Sequence, residues 1–415
     1  MNARRVQTKL ARGTALEVLF LNDRGFQFGA GLAQLRQLQS FLARGHNATA
    51  LCWRAGPPDA LPVPPPGARG AWRGVIQLPD HSREQGKGRE ELRRVVVERA
   101  AGLDPDLIVV GNLHGAGWPL EILTDLAELD SLTVAYMHDC HFATARCAYP
   151  GDCRQFQSGC TPLCPTPREY PALAPDLIPA EWRLRQRLFN TPTGIPLAAN
   201  SAWTLGLAQA AFPGLQNSAV LPYGLDETLF RPMDQALCRR LLGLPEAGLA
   251  VLFGAVNFSE VRKGWPIIQE LMPQIAGEPL FLFFGAQTPE APGRFSAGFL
   301  RDYRKMPLLY NAADLFVMTS LEEAFGQTIL EAAACGKPVA SFQLGGMPEV
   351  AVPGRNALGV TEISAAALAR AVNRLVAEPA LRAELGQAGR ALVEEEFTLE
   401  AQGRRWEAYL AGLAL

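Results

Sequence analysis

Short apolar runs that end in Gly or Asp alternate along this chain with longer stretches in which apolar residues recur at helical spacing. That alternation predicts parallel sheets built from strand–helix–strand units, an α/β class. The runs Val18–Leu21, Ala48–Trp53, Leu107–Val110 and Leu132–Tyr136 form a first series. After a link at Leu221–Asp226 and Phe230–Pro232, a second series follows at Ala250–Gly254, Pro279–Gly285, Leu315–Met318 and Pro338–Ser341. Two doubly wound domains are therefore expected, over 1–215 and 216–396, with an amphipathic helix at 397–415 docking back towards the first. Ligands of such folds sit at the carboxyl ends of the strands, so the cleft between the domains is the expected site. The first run ends in a loop carrying Gly25, Gly29 and Gly31, then a helix from about Leu32 to Arg44, stopped by Gly45. Bare glycines at Gly29 and Gly31 suit close approach to a phosphate. The proline-rich stretch 55–70 reads as a loop.

Length and composition narrow the function. The 415 residues exceed a single small domain, and 48% hydrophobic with 19% charged residues describes a globular protein. A net charge of −2 provides no overall basic field for nucleic acid. Five of the 39 cationic residues are Lys, at positions 9, 87, 263, 305 and 337, and a Lys that survives such an Arg bias merits scrutiny. No apolar run approaches the ~20 residues of a membrane span. The start, with Arg4, Arg5, Lys9 and Arg12, imitates a signal peptide, but Glu17 interrupts the apolar stretch. A disordered basic tail before the first strand is expected, in a cytoplasmic protein, with weak attraction to an anionic membrane face.

Chemistry concentrates in Ser320–Val339 and Gly345–Glu349. Glu323 and Glu331 are separated by seven residues across a loop-to-helix junction. With a helix starting near Gln327, both carboxylates face one cleft, and the backbone N–H groups of Gln327, Thr328 and Ile329 form an anion site at the helix start. A carboxylate there suits ribose hydroxyls. For two acids alone, a Glu-enriched helix terminus is the plainer reading. Lys263, with Arg262 beside it, follows a strand and could stabilise a leaving phosphate, although an isolated pair of this kind is usually a solvated loop charge. His138 and Asp139 follow the strand ending at Met137, where a capping or core role is the alternative. Asp104-Pro105-Asp106 precedes a buried strand and reads as a turn.

With these residues in view, the chain resembles the family-4 retaining glycosyltransferases of GT-B fold, in particular the colanic-acid and exopolysaccharide type. The resemblance rests on Glu323 and Glu331, the Ala334–Val339 and Gly345–Glu349 segments, Tyr310–Val317, the Arg44-Gly45-His46 turn and Leu221–Asp226. It implies transfer of a sugar from a nucleotide diphosphate sugar to a glycan or lipid-linked glycan, without a cofactor for catalysis. It also implies that Glu331 holds the ribose, Glu323 the donor sugar's hydroxyls, Lys263 the leaving phosphate, and that His138 lies by the donor sugar. The family's earlier Arg is missing here, and Arg262 is the candidate substitute. A catalytically silent nucleotide-sugar scaffold and a nucleotide-sugar epimerase remain the alternatives.

Five of the eight cysteines fall between 140 and 164, on a Gly- and Pro-rich loop. The spacing of Cys147, Cys153, Cys160 and Cys164 could furnish four thiolates for a structural zinc; two disulfides, reduced thiols or an iron–sulfur centre are the other readings.

Overall fold

The computed structural model describes residues 2–56, 64–78, 87–286, 294–300 and 302–414. Part of the proline-rich stretch, including Pro57, Pro58 and Pro62, lies outside the described residues. The chain divides into two compact units: Met1–Tyr223 with Leu399–Leu415, and Gly224–Thr398. The boundary falls after 223, not after 215, because a short strand at Ser218–Val220 completes the first sheet.

In the first unit, β1 (Glu17–Leu21), β2 (Asn47–Cys52), β3 (Trp72–Gln77), β4 (Leu107–Val110), β5 (Leu132–Met137), β6 (Leu197–Ala199) and β7 (Ser218–Val220) form one parallel sheet. Its order is β3-β2-β1-β4-β5-β6-β7. The helices are α1 (Asn2–Ala11), α2 (Phe28–Arg44), α3 (Lys87–Leu103), α4 (Ile122–Ala127), α5 (Gln155–Ser158), α6 (Ile178–Phe189) and α7 (Ala202–Ala211). Central strands such as β4, Leu-Ile-Val-Val, are buried along their whole length, as a sheet covered on both faces requires. The chain enters mid-sheet at β1, builds outwards to β3, then returns to β4 on the other side of β1. The loops after β1 and β4 therefore flank a switch point, where such sheets bind ligands.

The second unit repeats the plan. Strands β8 (Ala250–Asn257), β9 (Leu280–Ala286), β10 (Arg294–Ser296), β11 (Leu315–Met318), β12 (Val339–Phe342) and β13 (Ala357–Val360) are ordered β10-β9-β8-β11-β12-β13, all parallel. Its helices are α8 (Gln235–Leu241), α9 (Trp265–Leu271), α10 (Met306–Ala312), α11 (Gln327–Ala334), α12 (Ala365–Ala377) and α13 (Pro379–Glu396). The switch point here lies between β8 and β11. The last helix, α14 (Leu399–Ala411), belongs to the first unit: Trp406 is fully buried against Phe41 of α2, and Arg44 pairs with Glu400 and Glu407.

The expected disordered tail is instead helix α1. Val6 is fully buried, the Gln7 amide donates to the carbonyls of Leu410, Ala411 and Leu413, and Arg5 Nε and Lys9 Nζ each lie 2.6 Å from the buried Asp106 carboxylate. Those two cations pair with Asp106, while Arg4 and Arg12 of the same segment are exposed. No helix among the described residues is long and apolar enough to cross a membrane. Asp106 also accepts from the Glu17 backbone N–H at 2.8 Å, which anchors β1. Asp106→Asn keeps the shape but loses the charge, and should cost about 1–3 kcal/mol in chemical denaturation while exposing α1 to limited proteolysis.

Candidate functional site

Three loops at the carboxyl end of the second sheet converge on Glu323. The turn Val261–Lys263 after β8 is stitched to the chain leaving β11: the Leu321 N–H donates to the Arg262 carbonyl at 2.7 Å, and the Thr319 hydroxyl to the Lys263 carbonyl at 2.8 Å. Gly264 makes this approach sterically feasible, since its φ is +70° and a Cβ there would lie 2.2 Å from the Thr319 carbonyl oxygen. Gly345, after β12, likewise packs its bare Cα against the Glu323 carbonyl, which accepts the Gly346 N–H. The result is a largely enclosed ion pair: Lys263 Nζ donates to Glu323 Oε2 at 2.6 Å, and Arg262 stands 3.7 Å from the same oxygen while pairing with Glu260 at 2.7 Å.

Helix α11 begins at Gln327, after Gly326 in the left-handed region (φ +99°). Glu331, one turn in, is 6% exposed and accepts the Tyr310 hydroxyl of α10 at 2.7 Å. Sequence reasoning used Tyr310 only as part of a motif and missed this anchor. One expectation is corrected at the helix start. The Ile329 N–H donates to the Gly326 carbonyl at 2.9 Å, so it is committed within the turn, and an anion would rely on Gln327 and Thr328.

Burial works against both charges of the ion pair, with different outcomes. Burial, with Arg262 alongside, holds the Lys263 ammonium below its ordinary value despite the pull of Glu323. For Glu323, burial pushes the carboxyl up, but Lys263 and Arg262 outweigh it and hold the group below the usual carboxylate range. Both groups are thus largely withdrawn from water, where a charge acts more strongly than in bulk solvent.

The first unit gathers polar groups at its own switch point. Asn22 and Asp23 follow β1; Gly111, Asn112 and His114 follow β4; His138 and Asp139 follow β5. Asn22 Oδ1 accepts the Asn112 N–H at 2.9 Å, and Asn112 Nδ2 donates to Asp139 at 3.0 Å. His138 Nδ1 pairs with the Tyr223 hydroxyl at 2.8 Å, while its Nε2 is buried with no hydrogen-bond partner. The bare Gly111 makes room for it: a Cβ there would lie 2.8 Å from Nε2. His114 stacks on His141 with ring centres 4.4 Å apart. The signal that could have identified Asn22, Asn112 and His114 was positional, the first polar residues after each buried run.

Burial drives the His138 imidazole down from the usual 6.5 to about 3, with His114 adding repulsion. The ring is therefore neutral when folded but takes a proton when unfolded, so stability falls as pH drops below 6.5. At about pH 5 the loss assigned to this group is about 2 kcal/mol. His138→Gln should flatten that part of the acid denaturation profile, leaving the share of His141, which burial also lowers.

One further expectation needs correction. Gly29 and Gly31 lie in the first turn of α2, not in an open loop, and a Cβ on Gly31 would meet the Gly25 carbonyl oxygen at 2.6 Å. Gly31 thus serves close packing of the helix on its own preceding turn. Cys147, Cys153, Cys160 and Cys164 line one cavity and none forms a disulfide, but among the described residues no three His, Cys, Asp or Glu side chains are grouped as a metal-holding set.

Residues 295–392, which carry Tyr310, Glu323, Glu331 and the start of α11, match the family Glycosyl transferases group 1. Among curated relatives, the D-inositol 3-phosphate glycosyltransferase of an Arthrobacter strain is 29% identical over 205 residues, 45% of this chain and 47% of that protein. The alpha-maltose-1-phosphate synthase of Mycolicibacterium smegmatis is 43% identical over 247 residues, 56% of each chain. The chain spans about half the length of the curated relatives it matches. These relatives replace the colanic-acid type as the supported comparison. The fold is shared with Anabaena Alr3699/HepE, solved with UDP-glucose (TM-score 0.71, 20% identity, 96% of this chain and 100% of that one). Sucrose-phosphate synthase of Thermosynechococcus elongatus is comparable (TM-score 0.69, 20% identity, 95% and 98%). At that identity the likeness is one of fold, the GT-B class with its two Rossmann-like units.

Proposed function

We propose that this protein is a retaining glycosyltransferase of the family-4 type, moving a sugar from a nucleotide diphosphate sugar to a hydroxyl of a glycan or lipid-linked glycan, in polysaccharide or glycoconjugate synthesis. The observation that carries it is the largely enclosed Lys263–Glu323 pair at the β8/β11 switch point, beside a helix start that presents Glu331. Glu331, held by Tyr310, accepts the ribose hydroxyls, and the start of α11 at Gln327 and Thr328 takes the diphosphate. Lys263 and Arg262 stabilise charge on the departing phosphate, and Glu323 orients the sugar hydroxyls. The acceptor oxygen bonds to the anomeric carbon as the bond from that carbon to the phosphate oxygen breaks, and the acceptor proton passes to the leaving phosphate. No protein nucleophile or metal is needed in that step; positioning and electrostatics supply the rate.

A thermal-shift series with uridine, guanosine, adenosine and thymidine diphosphates tests the donor site, followed by product analysis of the matching nucleotide sugars with and without acceptor. Stabilisation by one nucleotide and acceptor-dependent transfer with retained configuration are expected. Binding without turnover would support a silent scaffold, and conversion of the donor without acceptor an epimerase; either overturns the assignment.

A further inference from the structure

Between β5 and α6, residues 138–177 fold with a single four-residue helix, α5. A segment of that length without strands or a longer helix has little core of its own and needs a staple. Cys147, Cys153, Cys160 and Cys164 are spread through it, yet all four line one cavity, together with Arg146 and Phe156. The Cys160 thiol lies within electrostatic reach of the other three.

An independent observation concerns charge. Arg146 is 3% exposed, and its guanidinium donates to the carbonyls of Glu169 and Pro171, each at 2.8 Å, and to the Thr166 hydroxyl at 2.9 Å. It reaches Cys164 Sγ at 4.0 Å, and its Nε is buried without a partner. Among the described residues no carboxylate pairs with it. A buried guanidinium without a counter-anion is costly. Arg185, 1% exposed and paired with Glu181, also lies within electrostatic reach of Cys147 and Cys160. Two buried cations thus face a cluster whose remaining source of negative charge is its sulfurs.

We propose that Cys147, Cys153, Cys160 and Cys164 bind one structural zinc ion, which staples the 138–177 loop. Four Zn–S bonds form as four thiol protons leave to solvent. A divalent ion in four thiolates keeps a net negative charge, which Arg146 and Arg185 offset and which N–H donors around the sulfurs stabilise. An all-sulfur shell selects zinc over harder divalent ions. The sulfurs stand around the cavity without being gathered into a shell, so binding includes a contraction of the loop. Because His138, Asp139 and His141 lie at the root of this loop, the ion fixes one wall of the polar switch point in the first unit.

The test is metal analysis of the full chain purified without chelator, for the wild type, Cys153→Ser, Cys160→Ser and, as a control outside the loop, Cys238→Ser of α8. About one zinc per chain is expected in the wild type and the control, and less than about a tenth of that in the two loop variants. Should the loop variants fail to fold, mercurial titration of the wild type answers the question: zinc release should track modification of the loop thiols, and chelation should speed proteolysis within 138–177. Four freely reacting loop thiols with no metal, bound iron, or a mass about 4 Da low from two disulfides would each overturn the proposal.

Discussion

Lys263→Ala is expected to lower kcat by about 10²- to 10³-fold, the usual effect of removing one preorganised charge from a developing oxyanion. The ammonium is placed by the stitched turn 261–264 and oriented by Glu323 at 2.6 Å, so little reorganisation is needed when charge appears on the phosphate. Donor affinity should change far less than turnover. The same substitution leaves the largely enclosed Glu323 beside Arg262 alone, at 3.7 Å. Breaking a buried pair costs about 3–5 kcal/mol where no second cation is near, and Arg262 reduces that here. The stability of the wild type gained from Glu323 is full above the usual carboxylate range and is lost as pH falls through its lowered folded value, so the variant should unfold at a higher pH on acid titration. Pairing Lys263→Met with Glu323→Gln separates the two roles: stability should recover and turnover should not. A double variant as active as the wild type would refute the assignment of Lys263 to the phosphate.

Glu331→Gln should weaken binding of the preferred nucleoside diphosphate by about 30-fold or more, the worth of charge-assisted hydrogen bonds to two hydroxyls. Isothermal calorimetry with the diphosphate and its 2′,3′-dideoxy analogue gives the decisive comparison. The wild type should discriminate strongly between them and the variant should not. Tyr310→Phe retains the carboxylate but removes the hydroxyl that holds it at 2.7 Å, so a loss of about 5-fold is expected. Equal discrimination in wild type and Glu331→Gln would place the ribose elsewhere.

Wherever the information was local, the sequence sufficed. Buried parallel strands read as continuous apolar runs, so β1, β4, β5, β8, β9, β11 and β12 were visible, and Gly45 and Gly326 mark helix ends by backbone conformations that only a residue without a side chain adopts easily. The spacing of Glu323 and Glu331 across the start of α11 is likewise a local matter. The edge strands β3, β7 and β10 and the inner three-residue strand β6 were missed because they are short or partly exposed. What joins distant positions needed the tertiary structure. Arg5 and Lys9 resemble a loose basic tail until Asp106, about a hundred residues away, is seen between them. Lys263 meets Glu323, Tyr310 meets Glu331, and Gly31 meets its own preceding turn for the same reason: hydrogen bonds and ion pairs act over a few ångströms of space, and only folding determines which residues come within that reach.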